Sequence, residues 1–257
     1  DGLRRALQMV DVFHQELEIN QEELVLARNF LELEANRSAG KISAFLTLEE
    51  GGAISGSLEN LRNFYRLGVR LITLTWNYPN EIGYPHNNEE YIHRGLTDFG
   101  CQVVTEMNRL GMIIDVSHLS DQGFYDVSRL SSKPFVASHS NARAVCRHSR
   151  NLTDDMIRAL AQKGGVMGIN FAASFLGHPE ISLVEDMVAH VKHIVNVGGM
   201  DVLALGSDLD GIECELEIAN IGELDKLTQA LKKHAFHESE IEKIYYKNAM
   251  RVIREVL

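Results

Sequence analysis

The stretch MNRLGMIIDVSHLS, residues 107–120, contains one complete passage from a helix through a strand to a polar loop. A helical pattern that begins at Thr97 is stopped by Gly111, the residue type that most often ends a helix. The apolar run that follows, residues 112–118, does not alternate with polar residues and closes on His118. Such a run is typical of a strand buried on both faces, as the strands of parallel sheets are.

The same passage recurs along the chain. Capping residues at the starts of the intervening patterns predict helices at Ser57, Thr97 and Thr153, and Ser239 with Glu242 predicts a capping box for the last helix. Before the first strand, residues 3–36 predict a single helical segment with a break near Asn20. The predicted strands are residues 42–50, 71–77, 112–118, 134–139, 166–171 and 202–208.

Strands that alternate with helices leave two main architectures, an open doubly wound sheet and a (β/α)8 barrel. Each predicted strand ends in a polar residue, and in a barrel all of these residues would converge on one mouth. In an open sheet they would be spread along an edge. We therefore predict an α/β fold of the TIM-like (β/α)8 barrel type, whose first two strands precede residue 1. The strand-end residues are Glu50, Asn77, His118, His139, Asn170 and Asp208.

Composition restricts the partners and the domain organisation. The formal net charge of −11 disfavours nucleic acid as a partner, and no apolar run is long enough to span a membrane. The three cysteines are widely spaced and form neither a disulfide framework nor a metal knuckle, which favours reduced thiols and a cytoplasmic protein. Without a linker or a composition break, we expect one domain over residues 1–257.

Two histidines that close consecutive strands point to a metal. A lone histidine is more often a core or surface residue, but His118 and His139 both follow β-rich runs, and imidazole suits zinc. Glu50 precedes two glycines at the end of its strand, where a carboxylate can bridge two metal ions or belong to a solvated turn. Glu49 competes for this role, because strand alternation lets only one of the two point inward.

A carboxylate and an arginine complete the candidate set. Asp208 can move a proton between water and a leaving amine, although Asp210 is a rival and either could be a turn or cap residue. Arg150 has a planar guanidinium that suits a carboxylate, although Arg143 and Arg147 are equally plausible from composition and all three could be surface residues.

A second histidine pair has a different interpretation. His190 and His193 share one face of a helical pattern that we expect on the outside of the barrel. Packing or surface exposure is therefore favoured over a zinc site.

Eight motifs follow one another along the chain: EGG, GVRLITLTWN, GLTDFG, MNRLGMIIDVSHLS, ASHSNARAV, RNLTDD, GGVMGINF and GSDLDG. In this order and spacing they resemble the renal (membrane) dipeptidase family of zinc metallopeptidases from about residue 40 to the C-terminus. The resemblance implies a barrel with two zinc ions at its mouth, Glu50 bridging them, and His118 and His139 binding the second. It also implies that Arg150 holds the substrate's terminal carboxylate and that Asp208 lies beside the amino end and assists proton transfer. Family substrates are dipeptides, and homodimers are common.

The sequence departs from the family pattern in two places. The family begins with a strand that carries His-x-Asp, whose side chains hold the first zinc, and no such motif occurs near the start. We expect it in a segment that precedes residue 1. In addition, Trp76 stands where some members place a histidine that polarises the substrate, a role that Asn77 or His86 could supply or that is lost.

These residues lead to one hypothesis and two rivals. The hypothesis is zinc-dependent hydrolysis of dipeptides by a hydroxide that bridges two zinc ions. A metal-dependent amidohydrolase that acts on a non-peptide amide or lactone would keep Glu50, His118, His139 and Asp208 but would not need Arg150. A non-catalytic relative would have lost its first metal site.

Overall fold

Two compact units organise the chain in the computed structural model, which describes residues 2–257. The first unit comprises Asp1–Pro134 with Ile253–Leu257, and the second comprises Phe135–Val252. One domain over residues 1–257 stays a prediction. Within the described residues, every helix is too short or too polar to cross a membrane.

The first unit opens with a small parallel sheet that the sequence pattern did not predict. The chain breaks at Asn20, as expected, but Leu24 then pairs with Ile42 instead of continuing a helix. The single helical segment over residues 3–36 is therefore wrong, because pairing with a later strand outweighs the local helical pattern. The elements are α1 (Gly2–Ile19), β1 (Leu24–Leu26), α2 (Phe30–Ser38) and β2 (Ile42–Ala44).

The rest of the first unit repeats the predicted strand–helix pattern. The predicted strand at 42–50 is divided into two strands. Its first part, β2, pairs with β1, whereas residues 46–49 pair with the strand at residues 69–73. Three neighbouring strands are parallel, with Thr47 opposite Leu71 and Leu71 opposite Ile113. These strands are β3 (Leu46–Glu49), β4 (Val69–Thr73) and β5 (Ile113–Asp115), and the helices are α3 (Leu58–Arg66), α4 (Asp98–Leu110) and α5 (Asp121–Leu130).

The predicted helix signals in this unit act as caps. Ser57 Oγ accepts a hydrogen bond from the Asn60 N–H at 3.2 Å, and Thr97 Oγ1 accepts one from the Gly100 N–H at 2.9 Å. Each bond satisfies an amide that the helix itself leaves without a partner. Gly111 ends α4 with a φ of 72°, a conformation that glycine adopts without steric cost.

The second unit also consists of parallel strands and helices. Val136 lies opposite Val166, and Met167 lies opposite Leu203, so β6, β7 and β9 are neighbours in that order. β8 and β10 form a separate short parallel pair. The last helix, α11 (Asn248–Val256), begins in this unit, and its residues from Ile253 onward belong to the first. The other elements are β6 (Val136–Ala137), α6 (Asp154–Gln162), β7 (Val166–Ile169), α7 (Ala173–Leu176), β8 (Ile181–Ser182), α8 (Val184–Gly198), β9 (Leu203–Leu205), β10 (Glu215–Leu216), α9 (Asp225–Lys233) and α10 (Glu238–Glu242).

The start of the C-terminal helical region differs from the prediction. α10 begins at Glu238, and the His237 N–H donates to Glu240 Oε2 at 2.8 Å. The capping box predicted at Ser239 and Glu242 is therefore wrong by two residues. His237 and Ser239 are each followed three residues later by a glutamate, so either could form a capping box. The backbone of His237 is extended, as an N-cap requires, and the helix begins there.

Candidate functional site

His118 and Glu49 meet within the first unit. His118 follows β5 and is buried, and its Nε2 lies 3.1 Å from Oε1 of Glu49, the last residue of β3. On the other side of the ring, Nδ1 lies 3.1 Å from Asn77 Oδ1. Because an amide oxygen only accepts hydrogen bonds, this contact assigns the ring proton to Nδ1. A neutral His118 therefore directs the Nε2 lone pair toward a carboxylate, an arrangement that a proton or a metal cation stabilises.

Glu50 has different surroundings from its neighbour. Its Oε1 accepts hydrogen bonds from the Gly52 N–H at 2.6 Å and from Asn80 Nδ2 at 2.6 Å, and its Oε2 accepts one from the Trp76 N–H at 3.0 Å. These three donors fix the orientation of an anionic carboxylate. Strand alternation did not distinguish Glu49 from Glu50, because Glu50 lies beyond the end of β3 with a φ of 124°.

Backbone strain is concentrated at the candidate residues. Among residues 2–257, five non-glycine residues have a positive φ, and three of them are Glu50, His118 and Asp208 at 124°, 69° and 61°. A side chain with a Cβ rarely adopts this conformation, and it persists where the surroundings enforce it. Strained residues of this kind often have a function, and the sequence pattern independently predicts a function for all three.

His139 and Arg150 lie together in the second unit. His139 follows β6 and is buried, and its Nδ1 lies 2.7 Å from Ser138 Oγ. Arg150 is 3% exposed, donating from Nη2 to the His139 carbonyl at 3.1 Å and from Nη1 to Ser140 Oγ at 3.2 Å. A buried guanidinium held in this way is oriented before any ligand arrives.

The two rival arginines have other surroundings. Arg143 donates to the backbone, from Nε to the Asn151 carbonyl at 2.7 Å and from Nη2 to the Ser149 carbonyl at 3.0 Å. These bonds brace the loop that follows β6. Arg147 is exposed. Of the three arginines, Arg150 is thus the one buried beside His139.

A buried pair of asparagines supports Asp208. Asn170 Nδ2 donates to Asp208 Oδ2 at 3.0 Å, and the Asn170 N–H and carbonyl are bonded to the side chain of Asn141, each at 2.9 Å. Asn170 and Asn141 are both fully buried, so the carboxylate is held by a fixed amide. Asp210, the sequence rival, is exposed. The supporting role of Asn141 was not predicted, because an asparagine in a loop carries no distinctive signal.

His148 supports the turn that carries Arg150. Its Nδ1 accepts a hydrogen bond from the Arg150 N–H at 3.1 Å, and its ring lies 4.6 Å from the Phe175 ring. Burial, reinforced by the positive charges of Arg150 and Arg143, lowers the pKa of His148. The neutral ring is the form that can accept this hydrogen bond.

The second histidine pair is a packing feature. His190 is fully buried, accepts a hydrogen bond from the Ala142 N–H at 3.1 Å through Nδ1, and has Nε2 3.2 Å from the Leu176 carbonyl. Burial lowers the pKa of His190 to about 4. His193 instead contacts Asp154 Oδ1 at 2.7 Å. The two side chains thus have separate partners rather than a common one.

Asn77 and His86, the two residues that could replace the family's substrate-polarising histidine, both form hydrogen bonds with His118. Asn77 contacts its Nδ1, and the His86 N–H donates to the His118 carbonyl at 2.9 Å. Trp76 packs near His118, with ring centroids 6.4 Å apart.

A model of the membrane dipeptidase family, peptidase family M19, matches residues 1–257. The chain belongs to this family. Dipeptidase tcpJ of Claviceps purpurea is 32% identical over 257 residues, which cover 99% of this chain and 60% of that protein. A Klebsiella pneumoniae protein described as "Uncharacterized protein in pqqA 5'region" is 32% identical over 262 residues, covering 96% of this chain and 97% of that protein.

A solved metallo peptidase structure supports the fold assignment. The crystal structure of a metallo peptidase from Rhodobacter sphaeroides, liganded with a phosphinate mimic of the dipeptide L-Ala-D-Ala, is 30% identical with a TM-score of 0.91. The similarity covers 98% of this chain and 74% of that chain. The α/β fold of the TIM-like barrel class is thereby confirmed. Membership of M19 indicates a metallodipeptidase and therefore a hydrolase, although this chain spans only 60% of the length of the Claviceps dipeptidase.

Proposed function

We propose that this M19 chain is a zinc-dependent dipeptidase with a binuclear centre. The observation that carries the proposal is the contact between His118 and Glu49, with the opposite ring nitrogen of His118 held by Asn77. Two donors on one tetrahedral zinc lie roughly 3.3 Å apart, given bonds of about 2.0–2.1 Å. The separation of 3.1 Å between His118 Nε2 and Glu49 Oε1 fits such a pair.

The proposed ligands in the first unit are His118 and Glu49, and the motif resemblance adds His139 of the second unit to the proposal. An imidazole pair with a carboxylate is a donor set that zinc enzymes use. Ser138 and Asn77 each contact the Nδ1 of one of these histidines, which is how ligand rings are commonly oriented.

We assign Glu50 the bridging role that its EGG motif implies. A carboxylate has about four lone-pair positions, and Glu50 uses three of them for Gly52, Asn80 and Trp76. Oε2 accepts only the Trp76 bond and retains a position for a metal. Contact with two ions would require one of the two bonds to Oε1 to be released. Glu49 and Glu50 must therefore be tested separately.

The protein groups have distinct parts in the proposed reaction. Arg150 binds the free carboxylate of the dipeptide, which restricts substrates to short peptides. Asp208, oriented by Asn170, takes a proton from the attacking water and returns it to the departing nitrogen as the C–N bond breaks. Two bound zinc ions would lower the pKa of that water toward neutrality and would act as a Lewis acid for the carbonyl oxygen.

The remaining proposals concern partners and location. The net charge of −11 supports the absence of a nucleic-acid partner. Cys101, Cys146 and Cys214 form no disulfide among residues 2–257, which supports a reducing, cytoplasmic location. A homodimer stays a prediction.

A His118→Ala variant tests the metal assignment. We expect it to lose bound zinc and at least about 100-fold in kcat/KM for L-Ala-D-Ala, because an imidazole ligand is removed. Zinc is measured by elemental analysis after dialysis, and His93→Ala, at an exposed position, is the matched control. Normal zinc content together with normal hydrolysis in His118→Ala would exclude this assignment.

Paired carboxylate variants identify the acidic ligands. Glu49→Gln and Glu50→Gln preserve side-chain size while removing the charge. We expect both to lower zinc content, with Glu50→Gln removing more if it bridges two ions. Unchanged zinc content in Glu50→Gln would indicate that Glu50 is not a zinc ligand and that, of the two, Glu49 alone supplies the carboxylate.

An Arg150→Ala variant separates a dipeptidase from an amidohydrolase of another class. We expect a roughly 10–100-fold lower kcat/KM for a dipeptide with a free carboxylate, and little change for the same dipeptide as its C-terminal amide. Circular dichroism and zinc content check that the buried substitution leaves the fold intact. Equal losses on both substrates would argue against carboxylate recognition by Arg150.

A further inference from the structure

Two exposed aromatic side chains lie beside the candidate metal centre in the first unit. Trp76 is 42% exposed and Tyr78 is 68% exposed, and their ring centroids are 6.0 Å apart. The Trp76 ring is also 6.4 Å from the His118 ring, at an interplanar angle of 46°. We call Trp76 and Tyr78 the aromatic pair. Single exposed apolar residues need no explanation, but two large rings side by side next to a candidate metal ligand do.

The backbone that carries the aromatic pair is held on both sides. The Trp76 N–H donates to Glu50 Oε2 at 3.0 Å, and Asn87 Nδ2 donates to the carbonyl of Asn77, between the two rings, at 2.8 Å. These bonds fix the backbone from which the two side chains project, whereas the rings themselves remain exposed to solvent. Binding a ligand against them therefore requires little ordering of the backbone.

The surrounding segment is long and firmly anchored. Residues 74–97 connect β4 to α4, and in the described structure they form neither a helix nor an extended strand. Connections of this length are usually either functional or disordered, and the contacts within this one favour the first. Asn80 fixes a tight turn by accepting from the Ile82 N–H at 2.8 Å, and Ile82 is fully buried. The segment therefore presents the aromatic pair from a rigid base rather than from a mobile loop.

We propose that the aromatic pair is a specificity surface that receives the apolar side chain of one residue of the dipeptide, an inference that rests on the proposed dipeptidase function. Aromatic faces bury hydrocarbon and stack with other rings. The favoured substrates are thus dipeptides with a leucine- or phenylalanine-like side chain, whereas a charged side chain at the same position gains little from the aromatic faces and loses hydration there.

Substrate series with Trp76 variants test this specificity. kcat/KM is measured for Xaa-Ala and Ala-Xaa dipeptides, where Xaa is Gly, Leu, Phe or Glu. In the wild-type enzyme we expect Phe and Leu to exceed Gly at one of the two positions. In Trp76→Ala we expect the ratio of kcat/KM for the Phe substrate to that for the Gly substrate to fall roughly tenfold, and Trp76→Phe to restore most of this ratio. Tyr125→Ala, which removes an exposed ring on α5, is the control.

Fluorescence gives a second readout that does not depend on turnover. Trp76 is the only tryptophan in the sequence, so the intrinsic tryptophan emission reports this position alone. Phe-Ala and Ala-Phe are titrated into the metal-depleted enzyme, with Gly-Ala and Ala-Gly as controls. We expect a saturable change in emission with a phenylalanine dipeptide and a much weaker one with the glycine dipeptides.

The outcomes separate this inference from the proposed function. If no dipeptide is hydrolysed by the zinc-loaded enzyme, the proposed function fails, whereas a saturable emission change would still support the surface. If dipeptides are hydrolysed but the Phe-to-Gly ratio is the same in wild type, Trp76→Ala and Tyr125→Ala, the specificity surface is refuted. Equal emission changes with phenylalanine and glycine dipeptides would refute it as well.

Discussion

Replacement of His190 by glutamine removes a buried titrating group from α8 without removing its hydrogen-bonding capacity. The neutral His190 ring accepts from the Ala142 N–H and lies within hydrogen-bond distance of the Leu176 carbonyl. The glutamine amide has both an acceptor and a donor. Protonation would turn the accepting Nδ1 into a donor and break the bond to Ala142, in the loop that follows His139.

The size of the effect follows from the pKa of His190. Burial lowers this pKa from 6.5 in the unfolded chain to about 4 in the folded protein. Between these two pKa values the unfolded chain binds more protons than the folded protein. The contribution of the neutral His190 to the free energy of unfolding is therefore complete above pH 6.5 and is lost as the pH falls toward 4. From pH 7 to pH 5 the contribution lost is about 2 kcal/mol.

Urea denaturation at several pH values between 7 and 5 measures this loss. We expect the free energy of unfolding of His190→Gln to fall by about 2 kcal/mol less than that of the wild type across this range. The exposed His93→Gln serves as the control for removing one imidazole. Parallel pH dependences in the wild type and His190→Gln would refute the reasoning, because the buried ring would then not be what resists protonation.

Three further changes test local features of the fold and site. Asn77→Ala should weaken zinc binding about 10–100-fold, measured by competition with a chelator, because the His118 ring loses the amide that orients it. Gly52→Ala should lower zinc content, since a Cβ at this position would come within 2.6 Å of Glu50 Oε1 and displace the carboxylate. Thr153→Ala should lower the free energy of unfolding in urea by about 1 kcal/mol, because α6 loses its N-terminal cap.

The sequence was most informative where local chemistry and tertiary structure agree. Thr97 and Gly111 delimit α4 because a side-chain cap and a left-handed stop act within a few residues of the helix end. His118 and His139 could be proposed as ligands because each follows an apolar run, and both runs contain a buried parallel strand. These signals do not depend on distant contacts.

Features that depend on distant contacts were missed. β1 has only three residues, and its pairing with β2 is invisible to a local pattern that favours a helix. The different surroundings of Glu49 and Glu50 arise from a positive φ that ends strand alternation. The hydrogen bond from Asn170 to Asp208 could not be predicted as a contact, because the two residues are far apart in sequence.

Zinc-dependent turnover tests the central claim most directly. Metal-depleted enzyme is titrated with zinc, and bound zinc and L-Ala-D-Ala hydrolysis are followed in the same samples. We predict no hydrolysis without zinc, and activity that rises with bound zinc until the centre is filled. Hydrolysis that is independent of zinc, or full zinc binding without hydrolysis of any dipeptide, would contradict the claim.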